Sequence, residues 1–497
     1  MSRRLSGLDA AFLALETPTS TGHVGSVSIL DPATAPEPLD LARVTRLYET
    51  RIGRIPVLRQ HLMSIPFGID QPVWVDDEHF DIGYHVRELA LPSPGSRDQL
   101  AEQVARIHAR PLDRARPLWE VYVISGLERD LVAVYTKVHH AAIDGVSGAE
   151  MLTALFDLTP TPPDEPADEP WCPSPPPNRA WLGVEAAARL IVRPFQATKL
   201  LTEALRVIPS AVPALAPVVG EVLGPVAASV LGVGRGIADG SVIDPGTPLV
   251  APRTPFNVDI SPHRRFAYGT LSLEEVKAVK NHFGTSVNDV VIALCAGALR
   301  RWLIAHDALP EGPLVAMIPV SIRTSTPDFE GNQVSAMLAG VPTHLSDPVQ
   351  RLRTAQAVTQ VAKAQQAAIP QGLVDDVTDF APPAFTTRVA RMIFASHVLN
   401  RIPAFNTVIS NIPGPPIPVY LAGAKLLAHY PVSVVSDGMG LNITLVGYNG
   451  GLHFGIIAAR EIAPDLDDLV THLHTELDLL LAAVATRPAV RRRQRRT

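Results

Sequence analysis

Cysteine is scarce in this sequence: Cys172 and Cys295 are the two among 497 residues. Two cysteines are too few for a disulfide framework, and such low usage is typical of proteins from a reducing compartment. It also argues against a zinc site built on cysteine thiolates.

An excess of basic charge is lacking too. The 43 Lys and Arg residues against 49 Asp and Glu residues give a formal net charge of -6. Proteins that bind nucleic acid usually present a basic face. We therefore expect no nucleic-acid partner.

No clean signal peptide begins the chain. The opening stretch "MSRRLSGLDAAFLALETP" is interrupted by Asp9 and Glu16, which do not suit the apolar core of a signal peptide. Its apolar residues follow the i, i+3, i+4, i+7 spacing of one helical face: Leu8, Ala11, Phe12 and Leu15. The pattern predicts a short amphipathic helix of the mature fold.

An uninterrupted membrane-spanning run is also missing. The apolar stretch at 207–233 approaches the roughly 20 residues that a spanning helix needs. Glu221 and four prolines interrupt it: Pro209, Pro213, Pro217 and Pro225. We expect packed or lid-forming helices there, with contact to a membrane surface as the alternative. Together with the cysteine usage, this predicts a cytoplasmic protein that partly associates with the inner membrane or lipid droplets.

What the sequence does contain is two regions that mix strands and helices, separated by a proline-rich stretch at 159–178. Proline cannot continue a helix or donate a backbone hydrogen bond, so this stretch marks a domain boundary. We predict an N-terminal domain at 1–158, a linker with an apolar helical region at 159–250, a C-terminal domain at 251–486 and a basic tail at 487–497.

Local signals place several elements within these regions. Ser272 and Ser286 begin capping patterns for two helices, and Ser147 begins another after Gly145. The pair Asn449–Gly450 predicts a hairpin turn. Strands are predicted for "WEVYVI" and "LVAVYTKVHH", and a helix for the preceding "DQLAEQVARIHARPLD".

The stretch "YTKVHHAAIDG" at 135–145 carries the candidate chemistry. In this strand, which includes both histidines, His140 shares a face with Val134 and Val138, and His139 lies on the opposite face. His140 ends the more uniformly apolar row, so it is the better candidate to stand at a water-poor cavity. An imidazole whose pKa stays near the working pH there suits a general base.

Three interpretations of these residues stay open on this evidence. One is a pair of structural histidines with a helix-capping aspartate, and another is a metal site of two histidines and a carboxylate. The third is a base-catalysed transfer site in which His140 acts. Gly145 allows a sharp turn, and Asp144 orients His140, pairs with an arginine or caps the following helix.

A wider set of motifs gives a resemblance. The stretch "HHAAIDG" resembles the HHxxxDG motif of an acyltransferase superfamily, and further stretches are similar to its bacterial wax ester synthase/diacylglycerol acyltransferase branch. They are "LSGLDAAFLALETPTSTGHVG", "RPLWE", "SVNDVVIA", "IPVSIR", "SNIPGPP" and "LNITLVGYNGGLHFG". In this order they cover essentially the whole chain.

The resemblance implies an α/β fold of two chloramphenicol-acetyltransferase-like domains, each a mixed sheet with helices, which enclose a substrate tunnel. It implies acyl-CoA as the donor, diacylglycerol or a long-chain alcohol as the acceptor, and triacylglycerol or wax ester as the product. His140 is then the general base. No metal, no cofactor besides the acyl-CoA co-substrate and no covalent acyl-enzyme are expected.

Roles for the residues beside His140 are also implied by the resemblance. His139 is expected to support His140. Asp144 is expected to be structural or orienting, with Arg323 as its partner, and Gly145 to form the turn.

Motifs elsewhere in the chain also have expected roles. Asn288 and Asp289 match a family motif, although a capping position explains Asp289 equally well. The group Pro117, Leu118 and Trp119 is expected to wall a tunnel or a core. The stretch "SNIPGPP" at 410–416 is expected to cross between the two domains.

Two alternative functions are also compatible with the sequence. One is a non-catalytic lipid-binding or lipid-droplet protein that uses the apolar stretch at 207–233. The other is an acyltransferase of the same fold with another alcohol acceptor. The basic tail is read as a solvated end or as an electrostatic contact to anionic lipid.

Overall fold

The computed structural model describes residues 3–143, 154–161, 171–189, 251–321, 334–367 and 403–486. Several predictions concern residues outside these ranges: Asp144, Gly145, Ser147, Arg323, the stretch at 207–233 and the basic tail.

The strands of the described chain are β1 His23–Asp31, β2 Gln60–Met63, β3 Val73–Asp76, β4 Val86–Ala90, β5 Trp119–Ser125, β6 Val132–His139, β7 Arg264–Ser272, β8 Leu314–Ser321, β9 Val334–Val341, β10 Thr407–Ile412, β11 Tyr420–Leu421, β12 Ala424–Val432, β13 Leu441–Tyr448 and β14 Gly451–Ala459. The α-helices are α1 Gly7–Leu15, α2 Leu41–Arg51, α3 Ile82–His85, α4 Arg97–His108, α5 Leu273–Phe283, α6 Val287–Ala305, α7 Pro348–Ala367 and α8 Asp467–Thr486.

These strands form two mixed six-stranded sheets and one small hairpin. The first sheet has the order β11-β12-β1-β6-β5-β4, and the second has the order β7-β14-β13-β10-β8-β9. Parallel pairs occur at β4–β5 in the first sheet and on both sides of β10 in the second. The remaining neighbours within the two sheets are antiparallel.

Helix α4 joins the two sheets. Its predicted apolar face, formed by Leu100, Val104 and Ile107, is buried in a core that includes residues of both sheets. The hydroxyl of Tyr268 on β7 donates to the carbonyl of Arg97 at 3.3 Å. Because α4 also packs beside β1 and β6, its last turn lies next to the end of β6.

The proline-rich crossing is confirmed. After β10 the chain leaves the second sheet, and β11 and β12 complete the first sheet by pairing β12 with β1. It then returns to the second sheet as β13. The strands before residue 158 thus lie in the first sheet or the small hairpin. Those after residue 251 lie in the second sheet, except β11 and β12.

Local predictions agree well with the structure. Ser272 caps α5, and Gly284 ends that helix with a left-handed conformation at φ 68°. Asn449 and Gly450 link β13 to β14 with φ values of 41° and 84°, as expected for a two-residue hairpin. Within the described ranges, no helix has both the length and the apolar character needed to cross a bilayer.

Candidate active site

The two adjacent histidines lie at the end of β6 but belong to different elements. His139 is the last residue of the strand, and His140 is the first residue of a 3-10 turn, His140–Ala142. The prediction that the strand continues through His140 is therefore wrong. The alternation of side chains orients His139 but does not orient His140.

His139 is held by a hydrogen bond at one ring nitrogen and lies close to a carboxylate at the other. Its Nδ1 accepts the backbone N–H of Ala141 at 3.0 Å and caps the 3-10 turn. A neutral imidazole has one donor and one acceptor nitrogen, so the proton resides on Nε2. That nitrogen lies 3.1 Å from Oε1 of Glu16, and the side chain of His139 is 1% exposed. His139 is thus held as a structural support.

Glu16 follows α1 directly and is the acidic partner of this histidine. Its Oε1 accepts the backbone N–H of Gly22 at 2.8 Å, and its Oε2 accepts Nε–H of Arg114 at 3.1 Å. Burial disfavours the charged carboxylate. The close contact with His139 and the hydrogen bonds from Arg114 and Gly22 outweigh it and hold the pKa of Glu16 well below its ordinary value. Glu16 is therefore ionised throughout the neutral range.

His140 is positioned by its backbone and by one aromatic contact. Its N–H donates to the carbonyl of Gly22 at 2.8 Å. Its ring stacks on Phe12 of α1, with centroids 3.9 Å apart and planes at 18°. The stacking restricts rotation of the His140 ring. Because His140 is half-buried, part of it stays accessible.

The apolar row that precedes His140 is packed core. Val132, Val134 and Val138 belong to the hydrophobic core of the first sheet, together with Trp119 and Tyr48. The water-poor space beside His140 and the tunnel implied by the resemblance stay predictions.

The opposite face of β6 carries a buried polar cluster. Lys137 is fully buried, and its Nζ donates to the carbonyls of Ile107 at 3.1 Å and Arg110 at 2.9 Å. The same Nζ lies 3.2 Å from Oε2 of Glu120. Burial lowers the pKa of Lys137, and Glu120 opposes that shift. With three oxygen partners, the ammonium is satisfied in place.

Two more histidines complete this buried face, and both are neutral. His108 accepts the hydroxyl of Tyr135 at Nδ1, at 2.7 Å, and donates Nε2–H to the carbonyl of Ser433, at 3.0 Å. Burial, with the charges of Lys137 and Arg264, lowers the pKa of His108 to about 3. Burial likewise holds the pKa of His23 well below its ordinary value. His108 thereby links α4 to the chain segment between β12 and β13.

The residues Pro117, Leu118 and Trp119 are buried. The ring of Trp119 stacks on His85 at 4.5 Å and on Tyr48 at 5.6 Å, and its Nε1–H donates to the carbonyl of Leu58 at 2.7 Å. These residues are expected from the sequence to wall either a tunnel or a core. Their contacts are those of a packed core.

Asn288 and Asp289 lie in the first turn of α6, in the second domain, whereas the histidine pair lies at the end of a strand of the first sheet. Asp289 accepts the N–H of Ser286 at 2.8 Å, and Ser286 accepts the N–H of Asp289 at 3.1 Å, which completes a capping box. The hydroxyl of Thr359 donates to the other carboxylate oxygen at 2.5 Å. Structural contacts therefore engage both oxygens of Asp289, and Asn288 beside it is half-buried.

Sequence reasoning missed Glu16 as a member of this site. It used Glu16 only as a break in an apolar stretch, although Glu16 stands four residues after Phe12, which places both near one side of α1. The metal interpretation stays untested, because Asp144, the carboxylate beside the histidine pair, lies outside the described residues; within those residues no group of three or more histidine, cysteine, aspartate or glutamate side chains could hold an ion.

Comparison with protein families gives matches along most of the chain. The model of the wax ester synthase/diacylglycerol acyltransferase catalytic domain matches residues 5–291, and that of the WS/DGAT C-terminal domain matches residues 330–481.

Curated relatives match at nearly full length. A putative diacylglycerol O-acyltransferase of Mycobacterium tuberculosis strain CDC 1551 is 39% identical over 469 residues, covering 93% of this chain and 87% of the relative. The O-acyltransferase WSD of Acinetobacter baylyi is 31% identical over 486 residues, covering 97% of this chain and 98% of the relative.

Solved structures show the same architecture. The chain resembles a wax ester synthase/diacylglycerol acyltransferase from Marinobacter aquaeolei VT8 with a TM-score of 0.67 and 30% identity, covering 97% of this chain and all (100%) of that one. The first condensation domain of the CDA synthetase gives a TM-score of 0.55 at 14% identity, covering 99% and 97% of the two chains, which is a likeness of fold alone. The expected fold of two α/β domains is confirmed.

Proposed function

The chain belongs to the wax ester synthase/diacylglycerol acyltransferase family and is an acyltransferase, and we propose that it moves the acyl group of acyl-CoA to a diacylglycerol or long-chain alcohol hydroxyl, with His140 as general base. The products are triacylglycerol or wax ester. The printed names of the relatives, diacylglycerol O-acyltransferase and wax ester synthase, support this choice of acceptors.

One observation favours His140 over its neighbour as the base. His139 Nδ1 accepts the N–H that caps the turn, and its Nε2 lies 3.1 Å from the Glu16 carboxylate. Proton abstraction by His139 would need one of these contacts to break, while His140 stands half-buried at the head of the turn. Stacking on Phe12 holds the His140 ring in one orientation, which favours catalysis by limiting the geometries to be searched.

The chemistry is a direct exchange of one ester for another. His140 takes the proton of the acceptor hydroxyl as its oxygen attacks the thioester carbonyl carbon. The carbon–sulfur bond then breaks, and the imidazolium returns the proton to the CoA sulfur, so that ester and free thiol leave together. General-base assistance of this kind typically contributes about 10²–10⁴ in rate. The proposal includes no metal, no further cofactor and no covalent acyl-enzyme.

The acceptor is a lipid, so we further propose peripheral association with the cytoplasmic face of the inner membrane or with lipid droplets. Flotation with vesicles that contain dioleoylglycerol tests this directly. Protein that rises with the vesicles supports the proposal, and protein that stays at the bottom with and without dioleoylglycerol contradicts it.

The function is tested by giving the purified protein radiolabelled palmitoyl-CoA with dioleoylglycerol or hexadecanol in separate reactions. Labelled triacylglycerol or wax ester, formed in step with free CoA thiol, is the expected result. Thiol release without ester from either acceptor would show that water is the acceptor and would refute the assignment. If neither labelled ester nor free CoA thiol forms, the result would favour a non-catalytic lipid-binding protein.

A further inference from the structure

The carboxylate of Glu16 lies behind the histidine pair. We propose that Glu16 is a positioning residue for acyl transfer: acting through His139, it fixes the turn that carries His140. The proposal rests on His140 being the base, as proposed above, and assigns a role to a residue on a different element, just after α1.

The first step of the argument is the tautomer of His139. The 3-10 turn that begins at His140 is capped by Nδ1 of His139, which must be unprotonated to accept the N–H of Ala141 at 3.0 Å. A buried Nε2–H then needs an acceptor. The oxygen nearest to it in an ion-pair contact is Glu16 Oε1, at 3.1 Å, and this negative charge favours the tautomer that caps the turn.

The second step is that the same oxygen also anchors Gly22. Glu16 Oε1 accepts Gly22 N–H at 2.8 Å, and the Gly22 carbonyl accepts the N–H of His140 at 2.8 Å. The carboxylate thus contacts both the His139 ring and the Gly22 peptide, and we assign its effect on the His140 turn to the His139 ring. A Cβ at Gly22 would lie 2.8 Å from Nε2 of His139, so a glycine is needed between these two contacts.

The third step is that Glu16 is itself fixed from outside. Arg114 donates Nε–H to Oε2 at 3.1 Å and Nη2–H to the carbonyl of Leu13 at 2.8 Å, which ties Glu16 to the end of α1. The same helix places Phe12 on the His140 ring. Helix α1 and the residue that follows it therefore support both histidines: Phe12 contacts the His140 ring, and Glu16 contacts His139.

The test separates action through His139 from action through Gly22 or Arg114. His139→Asn keeps an amide oxygen close to the position of Nδ1, able to cap the turn, but its side chain is too short to reach Glu16. We would compare Glu16→Ala, His139→Asn and the double variant, with Glu102→Ala as a matched control in an exposed ion pair with Arg106.

We expect Glu16→Ala to lower kcat by roughly 10- to 100-fold at matched folded concentration, with KM for palmitoyl-CoA changed by less than about threefold. Glu16→Gln keeps an oxygen acceptor and should recover most of that loss. The double variant should be no slower than His139→Asn by more than about threefold, since interacting sites are not additive. Losses that multiply, or a loss that appears mainly in KM, would overturn the proposal, and Glu102→Ala should match the parent chain.

A readout independent of activity distinguishes this inference from the proposed function. In protein labelled with 15N-histidine, the signal that disappears in His139→Asn should be that of a neutral ring protonated at Nε2. It should lose that single-tautomer character in Glu16→Ala or, should that variant not fold, weaken in Glu16→Gln. A His139 ring protonated at Nδ1 in the parent chain would overturn the inference even if His140 proves to be the base. Full activity of His140→Ala would refute the proposed function and leave the tautomer result unaffected.

Discussion

Histidines in this chain differ in behaviour because their surroundings differ. His139 caps a turn through Nδ1 and lies against the Glu16 carboxylate at Nε2, and His140 is stacked on Phe12 at the head of that turn. Deep burial keeps others neutral: it lowers the pKa of His108 to about 3 and that of His429 to about 4. Such groups hold polar contacts between elements without introducing charge into the core.

These buried histidines predict a loss of stability in acid. Their folded pKa values lie below the ordinary value of 6.5, so the unfolded chain binds more protons at intermediate pH and the free energy of unfolding decreases as pH falls. Between pH 7.5 and 5.5, His108 alone should contribute a loss on the order of 1 kcal/mol. Urea unfolding of the parent chain and of His108→Gln at both pH values measures this contribution.

In His108→Gln, the amide can still donate to the Ser433 carbonyl but does not titrate. Over this interval the variant's free energy of unfolding should therefore fall by on the order of 1 kcal/mol less than that of the parent chain. An equal loss in both proteins would show that His108 is not a neutral buried group.

Helix α6 owes its start to a capping box, and this structural role predicts the effect of removing it. Ser286→Ala breaks the bond to the Asp289 N–H and should cost about 0.5–2 kcal/mol of stability. At matched folded concentration, ester formation should stay as in the parent chain, because the cap lies on an element of the second domain. Thermal melts and rate assays on the same samples measure both effects.

Asn288→Ala is the neighbouring comparison, because Asn288 is half-buried in the same turn and is not part of the cap. A large loss of rate in Ser286→Ala without a loss of stability would contradict a purely structural cap and would favour a direct role for the Asn-Asp motif.

Elements whose signals are local could be predicted from the sequence. The cap at Ser286, the left-handed Gly284 and the hairpin at Asn449–Gly450 depend on residues within a few positions of one another. The motif set also gave the family and hence the two-domain fold, which the comparisons confirm.

The missed features depend on contacts between distant residues. Glu16 and His139 are far apart in sequence and meet because α1 packs against the turn after β6. Strand alternation could not predict the orientation of His140, since the strand ends one residue earlier and the backbone turns there. Likewise, nothing local indicates that Lys137 finds three oxygen partners on a buried face.

The two sheets are joined where β12 crosses β14, and the approach requires a residue without a side chain. A Cβ on Gly455 would stand 1.8 Å from the carbonyl oxygen of Pro431, which is backbone and cannot rotate away. Gly455→Ala should therefore destabilise the protein by more than about 2 kcal/mol, within the range of strained core substitutions. Denaturant unfolding measures the loss.

Gly447→Ala is the matched control, because Gly447 lies on the adjacent strand β13 and an added Cβ there meets no atom within 4 Å. It should change stability far less than Gly455→Ala. Equal effects of the two substitutions would show that the close approach of β12 and β14 does not join the sheets.

In the folded chain as a whole, His140 is the histidine placed to act as the base, and His139 supports it. The rate of ester formation from radiolabelled palmitoyl-CoA by His140→Ala and His139→Ala, at matched folded concentrations, tests this most directly. His140→Ala should lose about 10²–10⁴ in rate while its melting temperature stays unchanged. His139→Ala should lose activity only in part, together with stability, because it removes a cap and a buried contact. An inactive His139→Ala beside a His140→Ala that retains substantial rate would contradict the assignment of the base.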